Sequence, residues 1–385
     1  MDERRLLIAL NAASSLTRAA LCRLAQTLAA WRDAEPGDAV AVAARVGVPP
    51  EQLRRALAAR GRTGELADGE LARAAKHGAR LVTCLDEDYP PPLADLGLPP
   101  PVLYVRGALG AAPAVAIVGS RRMDAYGREV AECFAGRLAA AGVAVISGFA
   151  RGIDAAAHRA ALAALDGRTV AVLGCGLDVD YPRRQRDLAA AIAERGALVS
   201  EFPFGAEPRP WHFPIRNRVI AALPWATLVV QATPRSGSLI TAHHAMELGR
   251  DVYAVPGRIF DERSLGTNHL LADGALVARC PEDLIEGAAR HGLAMPGQRP
   301  LFAPPDAETP PAPVPPPRRH RRQGAGGPAA GQGPDGRGRR RASRGAGRPG
   351  AGRPARSRRL DSARAGAGVR AVRCGDLEMP IWYLK

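Results

Sequence analysis

The sequence predicts an α/β protein with a doubly wound, mostly parallel sheet, a small helical domain before the sheet and a disordered basic tail after it. Three observations lead to this prediction. Apolar runs of strand length alternate with helical patterns between about residues 113 and 284. An Ala/Leu/Arg-rich segment with helical spacing precedes them, and a segment rich in Pro, Gly and Arg follows. The 385 residues are enough for more than one domain of ordinary size.

The first 76 residues have the composition of a small helical domain. Apolar residues recur three and four positions apart, which is the spacing of one buried face of a helix. Proline and glycine at 36–37, 49–50 and 61 divide the segment into short helices. The leucines that mark the expected buried faces are Leu6, Leu7 and Leu10, then Leu21, Leu24 and Leu28, and finally Leu53 and Leu57.

Residues 77–290 carry the pattern of the sheet. Strand-length apolar runs lie at 80–84, 102–105, 115–118, 143–147, 170–173, 198–200, 227–231 and 252–255, and helical patterns lie at 126–141, 153–165, 187–195 and 239–249. Runs that are apolar on both faces, each followed by a helix, indicate a parallel sheet covered by helices on both sides. Ligands of such sheets bind beyond the carboxyl ends of the strands, so the turns there form the candidate site.

The net charge of +15 is concentrated in one segment. Residues 318–360 contain 14 arginines and one acidic residue, which leaves the rest of the chain nearly neutral. Because 291–376 has too little apolar area to offset chain entropy, we expect it to be disordered, whereas 377–385 regains apolar character. Two origins stay open for the tail: a basic arm that binds polyanions, or a shifted reading frame of a GC-rich gene.

Several protein classes are disfavoured by what the sequence lacks. No run approaches the roughly 20 apolar residues of a membrane helix, and the amino terminus offers no secretory cleavage site. The cysteines form no C-x-x-C pair, so we expect buried, reduced thiols in a cytoplasmic protein rather than disulfides or a zinc ribbon. They are Cys22, Cys84, Cys133, Cys175, Cys280 and Cys374.

The first strand-to-helix turn, 118–122, has the composition of an anion site. Gly119 lets the backbone approach a ligand, Ser120 offers a hydroxyl, and Arg121 can hold a phosphate with two hydrogen bonds. The two later glycines of a dinucleotide fingerprint are missing, which disfavours binding of NAD or FAD. Glycine after a parallel strand is also common for packing alone, and this alternative stays open for every turn discussed here.

Similar turns follow the later strands. Two of them, 147–154 and 234–241, pair glycine with arginine or serine, and a third, 174–182, is rich in glycine. Residues 256–258 and 266–268 are predicted as two more turns. The candidate anion ligands in the two paired turns are Ser147, Gly148, Arg151 and Gly152, and Ser236, Gly237 and Ser238.

Residues 211–218 interleave aromatic side chains with cations. This composition suits an unpaired nucleic-acid strand, because Phe213 can stack on a base while Arg216 and Arg218 hold the backbone. The alternative is that Phe213 and Ile215 dock a helix and that the arginines are solvated.

No catalytic set is evident, and we expect neither an enzyme nor a bound metal or cofactor. Asp178 and Asp180 form a close acidic pair, and His243-His244 lies near Glu247, but adjacent histidines point to different faces of a helix. HExxH, Walker and GxSxG motifs are absent from the sequence. His158 and His269 are interpreted as structural histidines.

The central segment resembles the DprA/Smf family of DNA-processing proteins. Ordered motifs over about half the chain carry the resemblance, and they lie at 77–81, 88–90, 101–107, 118–121, 147–154, 157–158, 173–182, 200–203, 213–218, 236–242, 249–252, 255–257 and 266–268. The resemblance implies an extended Rossmann-like domain that binds single-stranded DNA without hydrolysing it. It also implies loading of the RecA recombinase onto DNA coated by single-strand-binding protein during natural transformation, and a homodimer. Residues 1–76 look like the family's SAM-like helical domain, but 11–15 lack the glycines of a helix-hairpin-helix, and 324–370 show no winged-helix pattern.

By resemblance, the GSR arginine and the FPxRN motif line the DNA pocket, and the neighbouring turns complete the phosphate contacts. The expected DNA-binding residues are therefore Gly119, Ser120, Arg121, Ser147, Gly148, Arg151, Gly152, Phe213, Arg216, Asn217, Arg218, Ser236, Gly237 and Ser238. The alternative is a nucleotide-processing enzyme of the lysine-decarboxylase-like group. That class places a glutamate soon after its glycine loop, and Glu247 lies too far beyond the loop 236–241 for this role. An NAD oxidoreductase is a weaker alternative because the glycine fingerprint is missing.

Overall fold

The computed structural model describes residues 2–13, 15–110 and 113–293, and the backbone of 372–374 and 377–379. In this part of the chain the helices are α1 (Glu3–Ala12), α2 (Arg18–Gln26), α3 (Leu28–Trp31), α4 (Ala39–Val46), α5 (Pro50–Arg60), α6 (Thr63–Lys76), α7 (Ala125–Ala140), α8 (Ile153–Ala163), α9 (Arg186–Arg195), α10 (His212–Ala222), α11 (Gly237–Glu247), α12 (Glu262–Ala272) and α13 (Pro281–Arg290). The strands are β1 (Arg80–Thr83), β2 (Val102–Gly107), β3 (Ala114–Val118), β4 (Ala144–Ser147), β5 (Thr169–Leu173), β6 (Ala197–Ser200), β7 (Ala226–Val229), β8 (Asp251–Ala254), β9 (Leu276–Val277), β10 (Val372–Cys374) and β11 (Leu377–Met379).

The first nine strands form one sheet in the order β1-β2-β6-β5-β4-β3-β7-β8-β9. β1 pairs with β2 and β2 with β6 in antiparallel fashion, and all other neighbours are parallel. The chain proceeds outward from β3 to β6 and then returns to β7, on the other side of β3. The strand order therefore reverses between β3 and β7, and the crevice outside the carboxyl ends of these two strands is where an open α/β sheet binds its ligands.

Side chains of the central strands alternate between two apolar layers. Val115 and Ile117 of β3 face a cluster that includes α7, α8 and α13, whereas Ala116 and Val118 face a cluster that includes α10 and α11. The sheet is thus covered on both sides, as its continuously apolar strands predict. The predicted fold class, a doubly wound and mostly parallel α/β sheet, is confirmed.

Two of the segments for which the sequence predicts no helix prove to be helical. The residues 211–218 belong largely to α10, and 266–268, predicted as a turn, lie inside α12. α12 begins where the Asp261 side chain accepts a hydrogen bond from the backbone N–H of Arg263. Gly266 is needed within this helix because a Cβ there would lie 2.6 Å from the carbonyl oxygen of Ala232. The glycine permits close packing of a helix, which looks like a turn signal in the sequence.

The amino-terminal helices have a core of their own. The eight leucines that mark the predicted helix faces are all buried, and seven of them lie in one cluster together with Trp31, whose indole N–H donates to the carbonyl of Leu24 at 2.7 Å. Leu7 lies instead in a second cluster with Ile8, Tyr104 and Phe204, which joins α1 to β1 and β2. α1 therefore packs on both sides, and the helical segment rests directly on the antiparallel edge of the sheet.

β10 and β11 form an antiparallel pair, with Val372 opposite Met379. Of the segment predicted to be disordered, 291–376, the structure describes 291–293 and 372–374. The remaining residues lie outside the described ranges, so the prediction of disorder stays untested. Among the helices of the described ranges, none has the length and hydropathy needed to cross a membrane.

The five cysteines whose side chains are described are free thiols. Cys22 and Cys175 are buried as expected, but Cys133 is exposed. Burial raises the pKa of the Cys22 thiol to about 11, so it is protonated at neutral pH.

Candidate functional site

A cavity of about 930 Å³ lies at the carboxyl ends of β3 and β7, where the strand order reverses. The turns after these two strands and the first half of α10 line it. We call it the switch-point pocket. Nine of the predicted DNA-binding residues line it: Gly119, Ser120, Arg121, Phe213, Arg216, Asn217, Ser236, Gly237 and Ser238.

A second cavity of about 490 Å³ continues from the switch-point pocket. The two share the lining residues Arg121, Arg122, Ala150, Tyr181, Phe213 and Arg216, so they form one groove, which we call the basic groove. The second cavity adds the predicted residues Gly148 and Arg151, and also Arg183. Among the described residues, six arginines line the basic groove, against two acids, Asp154 and Glu262. The excess of positive charge favours a polyanionic ligand.

Close backbone packing fixes the turn after β3. A Cβ at Gly119 would lie 2.8 Å from the Ile153 side chain, so this position has no room for a larger residue. The N–H of Ser120 donates to the carbonyl of Gln231 at 2.8 Å, and its hydroxyl accepts from the N–H of Arg122 at 3.1 Å. These bonds tie the turn to the strand end of β7 and leave the Arg121 side chain exposed.

Arg121 lies over an aromatic platform. Its guanidinium carbon is 5.2 Å from the centroid of the Phe213 ring, and the Phe213 and Tyr181 rings are 5.5 Å apart. Arg121 has no ion pair with any carboxylate in the described part of the chain. The exposed guanidinium can hold a phosphate, and its plane, which rests on the Phe213 ring, can also stack on a base.

Arg216 is buried and acts inside the wall of the groove. Its Nη1 donates to the carbonyl of Gly148 at 2.6 Å and also to the carbonyl of Val172. Burial lowers the pKa of Arg216 to about 10, and the nearby Asp154 opposes that shift. Burial likewise raises the pKa of Asp154, which accepts a hydrogen bond from the N–H of Ala150 at 3.2 Å. The guanidinium therefore holds the 148–150 turn in place.

Asn217 and the first turn of α11 form the opposite wall. The Asn217 amide donates to the carbonyl of Gly237 at 3.1 Å. The Ser236 side chain caps α11 by accepting from the N–H of Ser238, and the two hydroxyls lie 2.8 Å apart. Hydroxyls and backbone N–H groups at a helix start are suitable ligands for an anion.

Three predicted site residues lie outside the lining of the basic groove. Ser147 is fully buried, and its hydroxyl donates to the carbonyl of Ile117 at 2.6 Å. Gly152 contributes only backbone at the start of α8. Arg218 points to the other side of α10, where its Nη2 donates to Glu201 Oε2 at 2.6 Å in a nearly buried ion pair. These three residues support the walls and do not face the cavity.

The structure adds lining residues that the sequence reasoning did not select. Tyr181 lies in the glycine-rich turn 174–182, so a weak signal for it existed, and Arg122 is adjacent to the selected Arg121. Arg263 comes from α12, and its Nε donates to the carbonyl of Arg122 at 3.4 Å. No local pattern could have shown this contact, because it depends on where α12 packs.

Five of the other polar candidates have structural partners among the described residues. The two oxygens of Asp178 accept from the N–H of Gly205 at 2.8 and 3.0 Å, and Asp180 pairs with Arg186. His158 Nδ1 is hydrogen-bonded to Thr169 Oγ1 at 2.7 Å. Glu247 pairs with His244 and does not line the basic groove. Within the described ranges, no group of three His, Cys, Asp or Glu residues could hold a metal ion.

Residues 80–289 match the family model described as DNA recombination-mediator protein A, and this range is more than half of the chain. The chain belongs to the DprA/Smf family. The predicted family resemblance is therefore confirmed, and the matched range contains every residue that lines the basic groove.

Known members of the DprA/Smf family agree with this assignment. Protein Smf of Escherichia coli (strain K12) is 45% identical over 209 residues, which cover 54% of this chain and 56% of that protein. A crystal structure of DNA processing protein A from Streptococcus pneumoniae matches 74% of this chain and 97% of its own, with 34% identity and a TM-score of 0.63. DNA processing protein A from Helicobacter pylori, whose structure is described as showing a unique single-stranded DNA binding mode, matches 56% and 98%, with 29% identity and a TM-score of 0.50. The chain spans only 56% and 59% of the length of the Smf proteins of Escherichia coli and Synechocystis.

Proposed function

We propose that the basic groove binds single-stranded DNA and that the protein is a non-catalytic recombination mediator. The observation that supports this most directly is the exposed Arg121 guanidinium above the Phe213 ring, at the point where the strand order reverses. A cation that can hold a phosphate and an aromatic-supported plane on which a base can stack occur together there, which is the combination that an unpaired strand requires.

The groove offers more than one phosphate site along its length. Arg121, Arg122 and Arg151 are exposed, and the Ser236–Ser238 turn adds hydroxyls and N–H groups. Arg216 and Asn217 keep the walls in register through the carbonyls of the neighbouring turns. Because base faces are available for stacking only when a strand is unpaired, single strands bind in preference to duplex. Phosphate contacts carry no sequence information, so binding is general.

Family membership supports a proposal for the wider role of the protein. A protein of this family that binds single strands would help load the RecA recombinase onto DNA coated by single-strand-binding protein, in DNA uptake and natural transformation. We propose that it does so in the cytoplasm, as a homodimer, without a cofactor. The Helicobacter pylori relative supports the DNA-binding part of this proposal. We also propose that 1–76 and 77–290 are separate domains, the first SAM-like and the second Rossmann-like, a boundary close to the start of the matched range.

Titration of oligo-dT with the Arg121→Ala protein tests the proposal. Loss of one charged phosphate contact is expected to weaken binding roughly 10- to 100-fold. Arg45→Ala is the matched control, because Arg45 is an exposed arginine on α4 that forms no ion pair within the described ranges and does not line the groove. The basic tail is present in all three proteins, so its contribution is common to them. Equal affinities for wild type and Arg121→Ala would overturn the assignment of the groove.

A further inference from the structure

A third cavity, of about 640 Å³, lies between the amino-terminal helices and the sheet. We call it the amino-terminal cavity. Its lining comes from the start of α2, from α6, from the segment after β6 and from the start of α10, and includes Arg18, Arg73, Phe202, Arg209, Trp211 and His212. None of these residues lines the basic groove.

One extended segment separates the two binding surfaces. Pro208 and Pro210 line the switch-point pocket, whereas Glu207, Arg209 and Trp211 line the amino-terminal cavity. The first turn of α10 continues this division. Phe213 and Pro214 face the switch-point pocket, and His212 and Ile215 face the amino-terminal cavity. The two cavities are therefore separated only by the segment 207–211 and the first turn of α10, so a continuous ligand can extend from one into the other.

The amino-terminal cavity repeats the pairing of aromatic rings with guanidinium groups. Arg209 lies over the Trp211 ring at 5.4 Å, and Arg18 lies over Phe202 at 5.6 Å. Phe202 stacks in turn on His212, with ring centroids 4.1 Å apart. Trp211 is 53% exposed, although indole is a side chain that folding usually buries. An exposed ring beside a cation is the arrangement that stacks on a base.

The charges in this cavity are available to an anion. Arg18 donates only through Nη1, to Asn11 Oδ1 at 2.5 Å and to the carbonyl of Glu201 at 3.1 Å, and within the described ranges neither Arg18 nor Arg209 pairs with a carboxylate. Arg73 is ion-paired with Glu70 at 3.3 Å but is mostly exposed. Among the described lining residues, Glu207 is the only acid. Burial lowers the pKa of His212 to about 4, so its ring is neutral at pH 7 and adds a flat surface without charge.

We propose that the amino-terminal cavity is a second site for unpaired polynucleotide, in which Trp211 stacks on a base and Arg18 and Arg209 bind phosphates of a strand continuing from the switch-point pocket. This inference rests on the proposed function of the basic groove. Nucleic acid is favoured over an acidic protein segment because the cavity combines a stacking ring with cations and lies directly beside the groove. In this proposal the amino-terminal helices contribute to DNA binding through the side chains that line the amino-terminal cavity, such as Arg18.

Oligonucleotide length separates the two sites experimentally. Full-length protein is titrated with oligo-dT of about 5 nucleotides, which fills one site, and of about 20 nucleotides, which reaches both. Trp211→Ala is expected to weaken binding of the longer oligonucleotide on the order of tenfold and to leave the shorter one unchanged. Trp211→Phe keeps a ring and should restore most of the loss. Arg209→Ala should weaken the longer oligonucleotide alone, and Arg45→Ala should change neither.

The outcomes distinguish this inference from the proposal on which it rests. Equal effects of Trp211→Ala on both lengths, or no effect on either, would overturn the second site while Arg121→Ala still weakens binding of both lengths. If Arg121→Ala has no effect on either length, the basic groove itself is misassigned. Because Trp211 is half exposed, its removal should leave the thermal unfolding midpoint close to that of wild type, which a parallel melt checks.

Discussion

The substitution Gly152→Ala tests how the turn after β3 is held in place. It precedes α8 with φ of 82° and ψ of −131°, a conformation that is accessible essentially to glycine alone. A Cβ at this position would lie 2.3 Å from the carbonyl oxygen of Ser120 and 2.8 Å from the carbonyl carbon and oxygen of Arg121. These are backbone atoms, so Gly152→Ala must push the 120–121 turn away from α8.

The cost can be worked out from its parts. Backbone strain at such a position is about 1–3 kcal/mol. Displacement of Ser120 also breaks the hydrogen bond from the N–H of Ile153 to its carbonyl, 3.2 Å in length, which adds about 1 kcal/mol. Gly152→Ala should therefore lower the free energy of unfolding by about 2–4 kcal/mol. It should also weaken oligo-dT binding, since Arg121 moves with the turn.

Gly249→Ala is the matched control. Gly249 also has a positive φ, 66°, but a Cβ there would meet no atom of the described residues within 4 Å. The expected cost is therefore only about 1–2 kcal/mol, with no change in DNA affinity. Urea denaturation gives the stabilities, and oligo-dT titration under conditions where both variants are folded gives the affinities. If Gly152→Ala proves no more destabilising than Gly249→Ala and binds oligo-dT like wild type, the described packing of the turn is wrong.

Two further predictions concern buried ionisable side chains. Burial lowers the pKa of His158 to about 3, so the folded state binds fewer protons than the unfolded state. The contribution of the neutral His158 ring to the free energy of unfolding is therefore fully present above about pH 6.5 and is lost as the pH falls toward 3. Between about pH 7 and pH 5 this loss of unfolding free energy should be about 2 kcal/mol. In the His158→Asn protein the decrease between the two pH values should be smaller by that amount. The same pH dependence in both proteins would contradict the prediction. Glu201→Ala leaves the Arg218 guanidinium, 11% exposed, without its carboxylate, and should cost about 3–5 kcal/mol in urea denaturation. Adding Arg218→Met should recover much of that loss, and a double variant as unstable as the sum of the two single variants would refute it.

The sequence was sufficient to predict the central strands of the sheet, because these strands are locally distinctive, whereas the two-residue strand β9 was not predicted. The runs at 115–118 and 170–173 are continuously apolar, and both coincide with strands to within one residue. The composition of the turns likewise indicated the carboxyl edge of the sheet, where Arg121 and Phe213 now lie together. These features depend on neighbours in the chain, which a sequence shows directly.

The helix α10 was not predicted because its signals conflict. Pro214 looks like a helix breaker, but it lies in the first turn, where a missing N–H breaks no bond within the helix. α10 also has no side-chain cap and lies between two cavities, so it lacks a single apolar face. Amphipathic periodicity, the main sequence signal for a helix, is therefore weak there.

The separate roles of the arginines could not be predicted from composition. Arg121, Arg216 and Arg218 all looked like phosphate ligands, yet Arg216 binds carbonyls inside the wall and Arg218 pairs with Glu201. Which of them faces the groove depends on the rotation of α10 against β5 and on the position of the 148–150 turn. Those are tertiary contacts between residues far apart in the chain: Arg216 and Val172 are 44 positions apart, and Arg218 and Glu201 are 17 positions apart.

The salt dependence of oligo-dT affinity tests most directly whether Arg121 holds a phosphate. For single strands, the logarithm of the affinity falls with the logarithm of the salt concentration by about 0.7 for each neutralised phosphate. Arg121→Ala should therefore give a line shallower than wild type by about 0.7, and Arg45→Ala should run parallel to wild type. Parallel lines for wild type and Arg121→Ala would show that this guanidinium neutralises no phosphate, in contradiction to the groove described above.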